Sequence, residues 1–309
     1  MKNKIKINFY ALLKITISFL LLYFLMYKVD LKNSLYILKN INIFYISLAL
    51  LALGTSHLMC GIRSFFVSIA VNAKLSLRNN LKFLFIGQFF NQILPSSLGG
   101  DISRVLLSIK KNVPTSKALS IVISDRLIGL LVSFSIPYTT YVLISESSKF
   151  NFYITYKSSQ IMAWFALASL ISLYLFKKIN IKKYKLMIYI NQIMLDLSNI
   201  LFVSNQKFII ILFSFLIQIT NVIVFYLIAT SLNIGLPITY GFIIIPMILF
   251  VSALPISLAG WGIRENAMIT GLSFISINSE SALSISIAFG LLQLITGLPG
   301  LYLWLRHDL

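Results

Sequence analysis

Apolar runs without a single Asp, Glu, Lys or Arg recur along this chain at residues 40–62, 127–145, 158–176 and 281–305, and residues 208–263 form a longer one. Each is near the roughly 20 residues that a helix needs to cross a bilayer. A shorter run, 15–27, extends back to Ile7 if Lys14 carries its ammonium to the headgroups on its apolar stem. Period-2 alternation in short stretches, the mark of a membrane β-barrel, is absent. The pattern predicts helices at about 7–27, 41–62, 119–145, 158–176, 208–231 and 281–305, giving six full spans.

Two further apolar segments are interrupted. Residues 83–100 contain "LPSSLGG" and residues 238–277 contain "LPISLAGWG". Proline removes a backbone donor and glycine loosens the chain, so neither is expected as one continuous helix. The longer strings "LPSSLGGDISR" (94–104) and "LPISLAGWGIR" (254–264) agree at six of eleven positions and lie 160 residues apart. The same offset carries 47–71 onto 207–231 and 121–145 onto 281–305. A unit of helix, helix, hairpin, helix thus occurs twice, as repeat 1 (about 1–145) and repeat 2 (about 158–305) of a single membrane domain, 1–309. With three full crossings per unit, the second is inverted relative to the first. The expected fold is an all-α polytopic membrane protein with two inverted-topology repeats and two re-entrant helical hairpins. Broken segments at matching places in inverted repeats point to a transport site near the midplane.

Composition agrees with this reading: 58% of the 309 residues are hydrophobic, 11% are charged, and mean hydropathy is +0.90. The net charge of +18 raises a nucleic-acid reading. It is set aside because the lysines cluster in connectors, where the positive-inside rule puts them. Five lysines open the stretch 177–206, followed by Leu186, Tyr189, Ile190, Ile193, Leu197, Ile200 and Leu201 at helical spacing. That predicts an amphipathic basic connector on a membrane surface, or else a solvated loop. The lysine distribution predicts both termini in the cytoplasm, and the expected location is the cytoplasmic (inner) membrane. The bulky sequence after the first run offers no signal-peptide cleavage site, so the first helix is expected to be retained.

Four of six arginines, Arg63, Arg104, Arg126 and Arg264, lie inside or beside apolar segments. An ionisable group in a membrane segment is a functional hypothesis by default. Arg104 and Arg264 each follow a glycine by four residues, Gly100 and Gly260. A helix N-terminus plus a guanidinium fork makes an anion cradle, fit for a lipid phosphate. The competing role is structural, with Asp101 and Glu265 as ion-pair partners. Of Asp125 and Arg126, at the start of a span, one is expected to pair with another helix or with the substrate, a structural ion pair coming first, and Arg63 is expected to end its helix and snorkel to the interface. Asn91 shares a helix face with Gln88 and Gln92. Gln218 with Asn221, and Gln293 with Thr296, repeat that arrangement. Of the eight acids the nearest two, Glu265 and Glu280, are fifteen residues apart, and no HExxH or DxD occurs. No metal or other cofactor is expected, and clustered-acid membrane transferases are disfavoured.

"NQILPSSLGGDISRVLL", "SDRLIGLL" and "LPISLAGWGIRENAMI" resemble the signature segments of the lysylphosphatidylglycerol synthase transmembrane family, also called the flippase-like domain family. Residue by residue, the resemblance points to Asn91, Pro95, Gly99, Gly100, Asp101, Arg104, Asp125, Arg126, Pro255, Gly260, Gly262, Arg264 and Glu265. One departure is Asp125, where the family often has Glu. Aminoacyl-transferring members carry a soluble catalytic domain after the membrane part, whereas this chain ends at Leu309, so no lysyl transfer is expected of it. The resemblance implies translocation of an anionic or phosphate-linked lipid, or an accessory role beside an envelope biosynthetic enzyme that modifies lipids or glycolipids. A metal-independent lipid transferase is the remaining alternative.

Overall fold

The computed structural model describes residues 29–93, 98–145, 160, 161, 164, 168, 185–253 and 261–306. The first expected helix, most of the span at 158–176, the lysines at 177–183 and both break centres, 94–97 and 254–260, fall outside them, and so do Pro95, Pro255 and Gly260. Within the described residues the chain is helical and has no strand. Ten α-helices are bounded there: α1 Leu31–Lys39, α2 Ile43–Ala70, α3 Leu77–Ile93, α4 Gly99–Lys110, α5 Thr115–Ser145, α6 Lys185–Ser198, α7 Lys207–Ser231, α8 Ile238–Ala253, α9 Ile263–Ser273 and α10 Ser279–Leu305. A π-helical turn, Asn199–Val203, extends α6.

Four of these, α2, α5 (over Thr115–Leu143), α7 and α10, are long and apolar enough to cross a membrane. Each leaves apolar side chains on its outer face. On α7 these are Phe208, Leu212, Phe215 and Ile219, spaced by three and four residues as one stripe of a helix. In a soluble protein such stripes would drive aggregation; here they are the surface that lipid tails cover.

Helix α2 runs eight residues past the end expected for it. Arg63 was expected to stop the span, but the following "SFFVSIA" continues the apolar periodicity to Ala70. The helix ends where Asn72 takes the left-handed conformation, φ 57°. Helices α2 and α7 lie antiparallel: Asn42 N donates to the Ser231 carbonyl at 2.8 Å. Around this pair sit two apolar cores. One gathers Phe225, Ile245, Met268 and Phe289, with the Phe225 and Phe289 ring centroids 4.3 Å apart. The other gathers Val67, Ile86, Ile121 and Ile210.

Helix α6 forms where an amphipathic segment was expected, but its stripe is split between two surfaces. Ile193, Leu197 and Ile200 are buried, while Ile188, Ile190, Phe202 and Val203 face outward. Asp196 holds the inner face: Lys117 Nζ reaches its Oδ1 at 2.9 Å, as does Gln192 Nε2 at 3.0 Å. Lys117→Met leaves a buried carboxylate short of its cation. It is expected to weaken this docking by about 1–3 kcal/mol, seen as earlier protease cleavage around residues 177–206 and a lower melting midpoint.

Candidate functional site: two buried arginine–carboxylate centres

The helices bring five of the charged residues singled out in the sequence into one cluster and two into another. In the first, Asp125 stands one-third of the way along α5 and accepts from two arginines. Arg63 Nε of α2 reaches Oδ1 at 2.8 Å, and Arg104 Nη2 of α4 reaches Oδ2 at 3.2 Å. Arg104 Nη2 also donates to Ser64 Oγ at 2.9 Å, and Arg63 Nη1 to Ser214 Oγ of α7 at 3.2 Å. Ser64 in turn donates to Asn80 Oδ1 on α3 at 3.2 Å. Asp101 lies 3.8 Å from Arg104 Nη1 and forms its close pair with Arg126 Nε. Five helices are thereby tied through one network.

Among the described residues three guanidinium groups meet two carboxylates here, a net charge of about one positive unit. Arg126 is the accessible member, its side chain 33% exposed, whereas Asp125 and Arg63 are sealed. Asp125 thus pairs with arginines of two other helices, Arg63 and Arg104, and Arg126 pairs with Asp101. Arg63 is an interior ion-pair member, contrary to the expected snorkelling. Buried guanidinium charge at that depth is tolerable only because Asp125 lies within hydrogen-bonding distance.

Glycine lets α4 lie on α3. A Cβ on Gly100 would stand 2.1 Å from the Gly87 carbonyl oxygen and 2.6 Å from Asn91 Oδ1. The Gly100 N–H donates to Asn91 Oδ1 at 2.8 Å, so Asn91 satisfies a free donor in the first turn of α4. Through this bond it joins two helices. Gly99 opens α4 beside it. Gly100→Ala is expected to force these helices apart and lower stability by about 1–3 kcal/mol, measurable as a fall in melting midpoint.

The second centre is smaller. Arg264, the second residue of α9, is 2% exposed. Its Nη2 and Nε reach Glu265 Oε1 at 2.8 and 3.2 Å, and Nε also reaches Ser286 Oγ of α10 at 3.1 Å. The guanidinium is packed against two ring faces, Trp261 at 4.7 Å and Phe289 at 5.7 Å from the centroids. Gly290 makes room for it, since a Cβ there would lie 2.5 Å from Nη2. Glu265 Oε2 accepts from the Gly262 N–H, capping α9, and Gly262 itself holds φ 85°, which favours glycine. One cation and one anion leave this centre neutral.

A weaker polar chain leads out of it. Arg264 Nη1 lies 3.5 Å from Gln293 Oε1, and Gln92 Nε2 of α3 lies 3.4 Å from the same oxygen. Sequence reasoning placed Gln92 and Gln293 on polar faces but did not pair them. It missed Ser64, Asn80, Ser214 and Ser286, because serine and asparagine inside a helix carry no signal of what they meet across it. Among the described residues no group of three His, Cys, Asp or Glu is placed to hold a metal ion.

Long apolar helices with ion pairs sealed between them define a multi-pass membrane protein. The family described as "Lysylphosphatidylglycerol synthase TM region" matches residues 11–300, and the chain belongs to it. Among curated proteins the chain finds no match.

Proposed function

We propose that this protein moves an anionic or phosphate-bearing lipid between leaflets, and that Arg104, Arg126 and Arg264 meet its headgroup. The family's name supports a lipid related to phosphatidylglycerol. The observation that carries the reading is the pair of arginine centres within an apolar bundle, the first with surplus positive charge and a partly open Arg126. A phosphate has the geometry to replace a carboxylate on a guanidinium fork. Asp101 and Glu265 then act as resident counter-ions that the headgroup displaces, while the glycine-bearing breaks around Gly99, Gly100, Gly260 and Gly262 let backbone approach it. The tails stay in the bilayer.

The proposed architecture is two inverted repeats in the cytoplasmic membrane, with both termini cytoplasmic. Several observations support it. Helices α2, α3, α4 and α5 are followed in the same order by α7, α8, α9 and α10. Left-handed residues end the matching helices: Asn72 and Asn233 after α2 and α7, Asn112 and Ser276 after α4 and α9. Each pair makes the same closing bonds, for example Ala73 N to Ser68 O and Ile234 N to Ala229 O. Both ends of the α3–α4 unit, Arg78 and Lys111, line one cavity, as a segment returning to its own side requires.

The register of these repeats bears on the arginines. "ALSI" occurs at 118–121 and again at 282–285, an offset of 164 in place of 160, with Ala118, Ser120, Ile121, Ala282, Ser284 and Ile285 all buried. Helices α4 and α9 begin at Gly99 and Ile263, the same 164 apart. In that register Asp101 corresponds to Glu265, while Asp125 and Arg126 correspond to Phe289 and Gly290. Equal acids and unequal partners make the two centres different in charge, which supports a loading side and a releasing side over a symmetric exchange.

The test is leaflet exchange of a fluorescent phosphatidylglycerol in proteoliposomes. Wild type is expected to exchange it faster than protein-free vesicles, and Arg104→Ala and Arg264→Ala to lose that activity by about tenfold or more each. A scaffold for a lipid-modifying enzyme is the second reading, favoured by the complete pairing of Arg264 inside the protein. Exchange no faster than in empty vesicles would establish it over the translocase.

A further inference from the structure

A cavity of about 540 Å³ opens at one end of the bundle, and none of its lining residues belongs to either arginine centre. Arg78 and Lys82 of α3, Lys111 after α4 and Arg306 after α10 line it. These cations come from three separate stretches of sequence, and no acid lines the cavity among the described residues. Arg78, Lys111 and Arg306, held together in this way, repel one another, and a bound anion lowers that repulsion. The remaining walls are the polar Asn79 and four apolar or amphipathic side chains, Leu81, Phe85, Leu303 and Tyr302. Arg306 stacks on the Tyr302 ring, 5.0 Å from its centroid.

The cavity stands where a bilayer meets water. It lies at the C-terminal end of the spanning helix α10, whose Tyr302, Trp304 and Leu305 are exposed. Aromatic and basic residues together mark the headgroup level. Above it the seam between α3 and α10 is shut. A Cβ on Gly300 would stand 2.0 Å from the Phe85 carbonyl oxygen, and Phe90 packs edge-on to Trp304 at 5.0 Å. Gln92, where α3 meets the polar chain to Arg264, is fourteen residues beyond Arg78, a rise of roughly 21 Å. The cavity and the second centre are therefore separate sites at different depths.

We propose that this basic cavity binds the headgroup phosphate of an anionic phospholipid in the adjacent leaflet. A phosphate, as a free ion or on a lipid, suits the cations equally. The apolar walls, continuous with the lipid-facing side of α10, select the lipid. The site does not depend on translocation and stands if the protein is a scaffold.

The test uses the full chain in nanodiscs that mix phosphatidylglycerol with phosphatidylcholine, followed by native mass spectrometry of the released protein. Wild type is expected to retain phosphatidylglycerol over phosphatidylcholine. The triple variant Arg78→Gln/Lys111→Gln/Arg306→Gln, which touches neither arginine centre, is expected to lose roughly a hundredfold in that preference. Millimolar inorganic phosphate is expected to leave the retained lipid in place. Unchanged retention in the triple variant overturns the proposal, and displacement by phosphate alone reassigns the cavity to free anions and overturns it too. If the triple variant does not fold, Lys111→Glu at an exposed helix end gives the same reading, with a smaller loss expected and an unchanged preference overturning the proposal. Leaflet exchange is measured on the same protein preparations in proteoliposomes. Lipid loss in the triple variant with no exchange by wild type upholds this site and removes the translocase, whereas unchanged retention in the triple variant with active exchange by wild type does the reverse.

Discussion

Asp125→Ala is expected to be the most damaging single change in the membrane bundle. It leaves Arg63 buried without its carboxylate and removes the close partner of Arg104. Removing one member of a buried ion pair costs about 3–5 kcal/mol, because the remaining charge stays desolvated. Two guanidinium groups lose their partner here, so the upper end of that range is expected. The readout is the fraction of monodisperse protein after heating in detergent, beside its melting midpoint. Asp125→Glu keeps the charge and should recover much of the loss. The pair Arg63→Met/Asp125→Leu removes charge from both sides and should be less damaging than Asp125→Ala alone, a non-additivity that a double-mutant cycle measures. An Asp125→Ala protein that melts like wild type would show that the centre contributes nothing to the fold.

The spans were the legible part of the chain. Lys207–Ser231 and Ser279–Leu305 fall within two residues of the segments expected from charge-free runs, because bilayer thickness fixes a length that composition can report. Arg63 shows where that logic fails. A charge was taken to end the helix, but its cost is cancelled by Asp125, sixty-two residues further on, and nothing local in the sequence announces such a partner. Arg104 and Asp101 were singled out correctly as a charged pair, yet their separation is 3.8 Å and each has a closer partner on α5. Spacing along a helix tells which residues share a face; it does not tell which neighbouring helix carries the better counter-ion. The matched breaks have a similar limit. Their 160-residue offset holds across the proline and glycine positions, while the helices after them keep 164, so two arginines at equal places in a motif occupy unequal places on their helices.

Unequal placement makes the two centres answer differently to substitution, and Glu265 gives the sharper test of an anion role. Glu265→Gln leaves Arg264 with Ser286, the two ring faces and a distant Gln293, and deprives Gly262 N–H of a charged acceptor. The expected loss is about 3–5 kcal/mol in a bilayer of neutral lipid. If Arg264 is a headgroup ligand, phosphate and Glu265 compete for one guanidinium. The variant should then gain more from added phosphatidylglycerol than wild type gains. Differential scanning fluorimetry in nanodiscs reads both midpoints as phosphatidylglycerol replaces phosphatidylcholine. Any stabilisation from the basic cavity at Arg78 and Arg306 is common to both proteins and drops out of the comparison. A larger lipid-dependent rise in the variant means that a phosphate reaches the place of the lost carboxylate. Equal rises mean that Arg264 is closed to headgroups, and Glu265 with Arg264 then serves only to fasten α9 to α10.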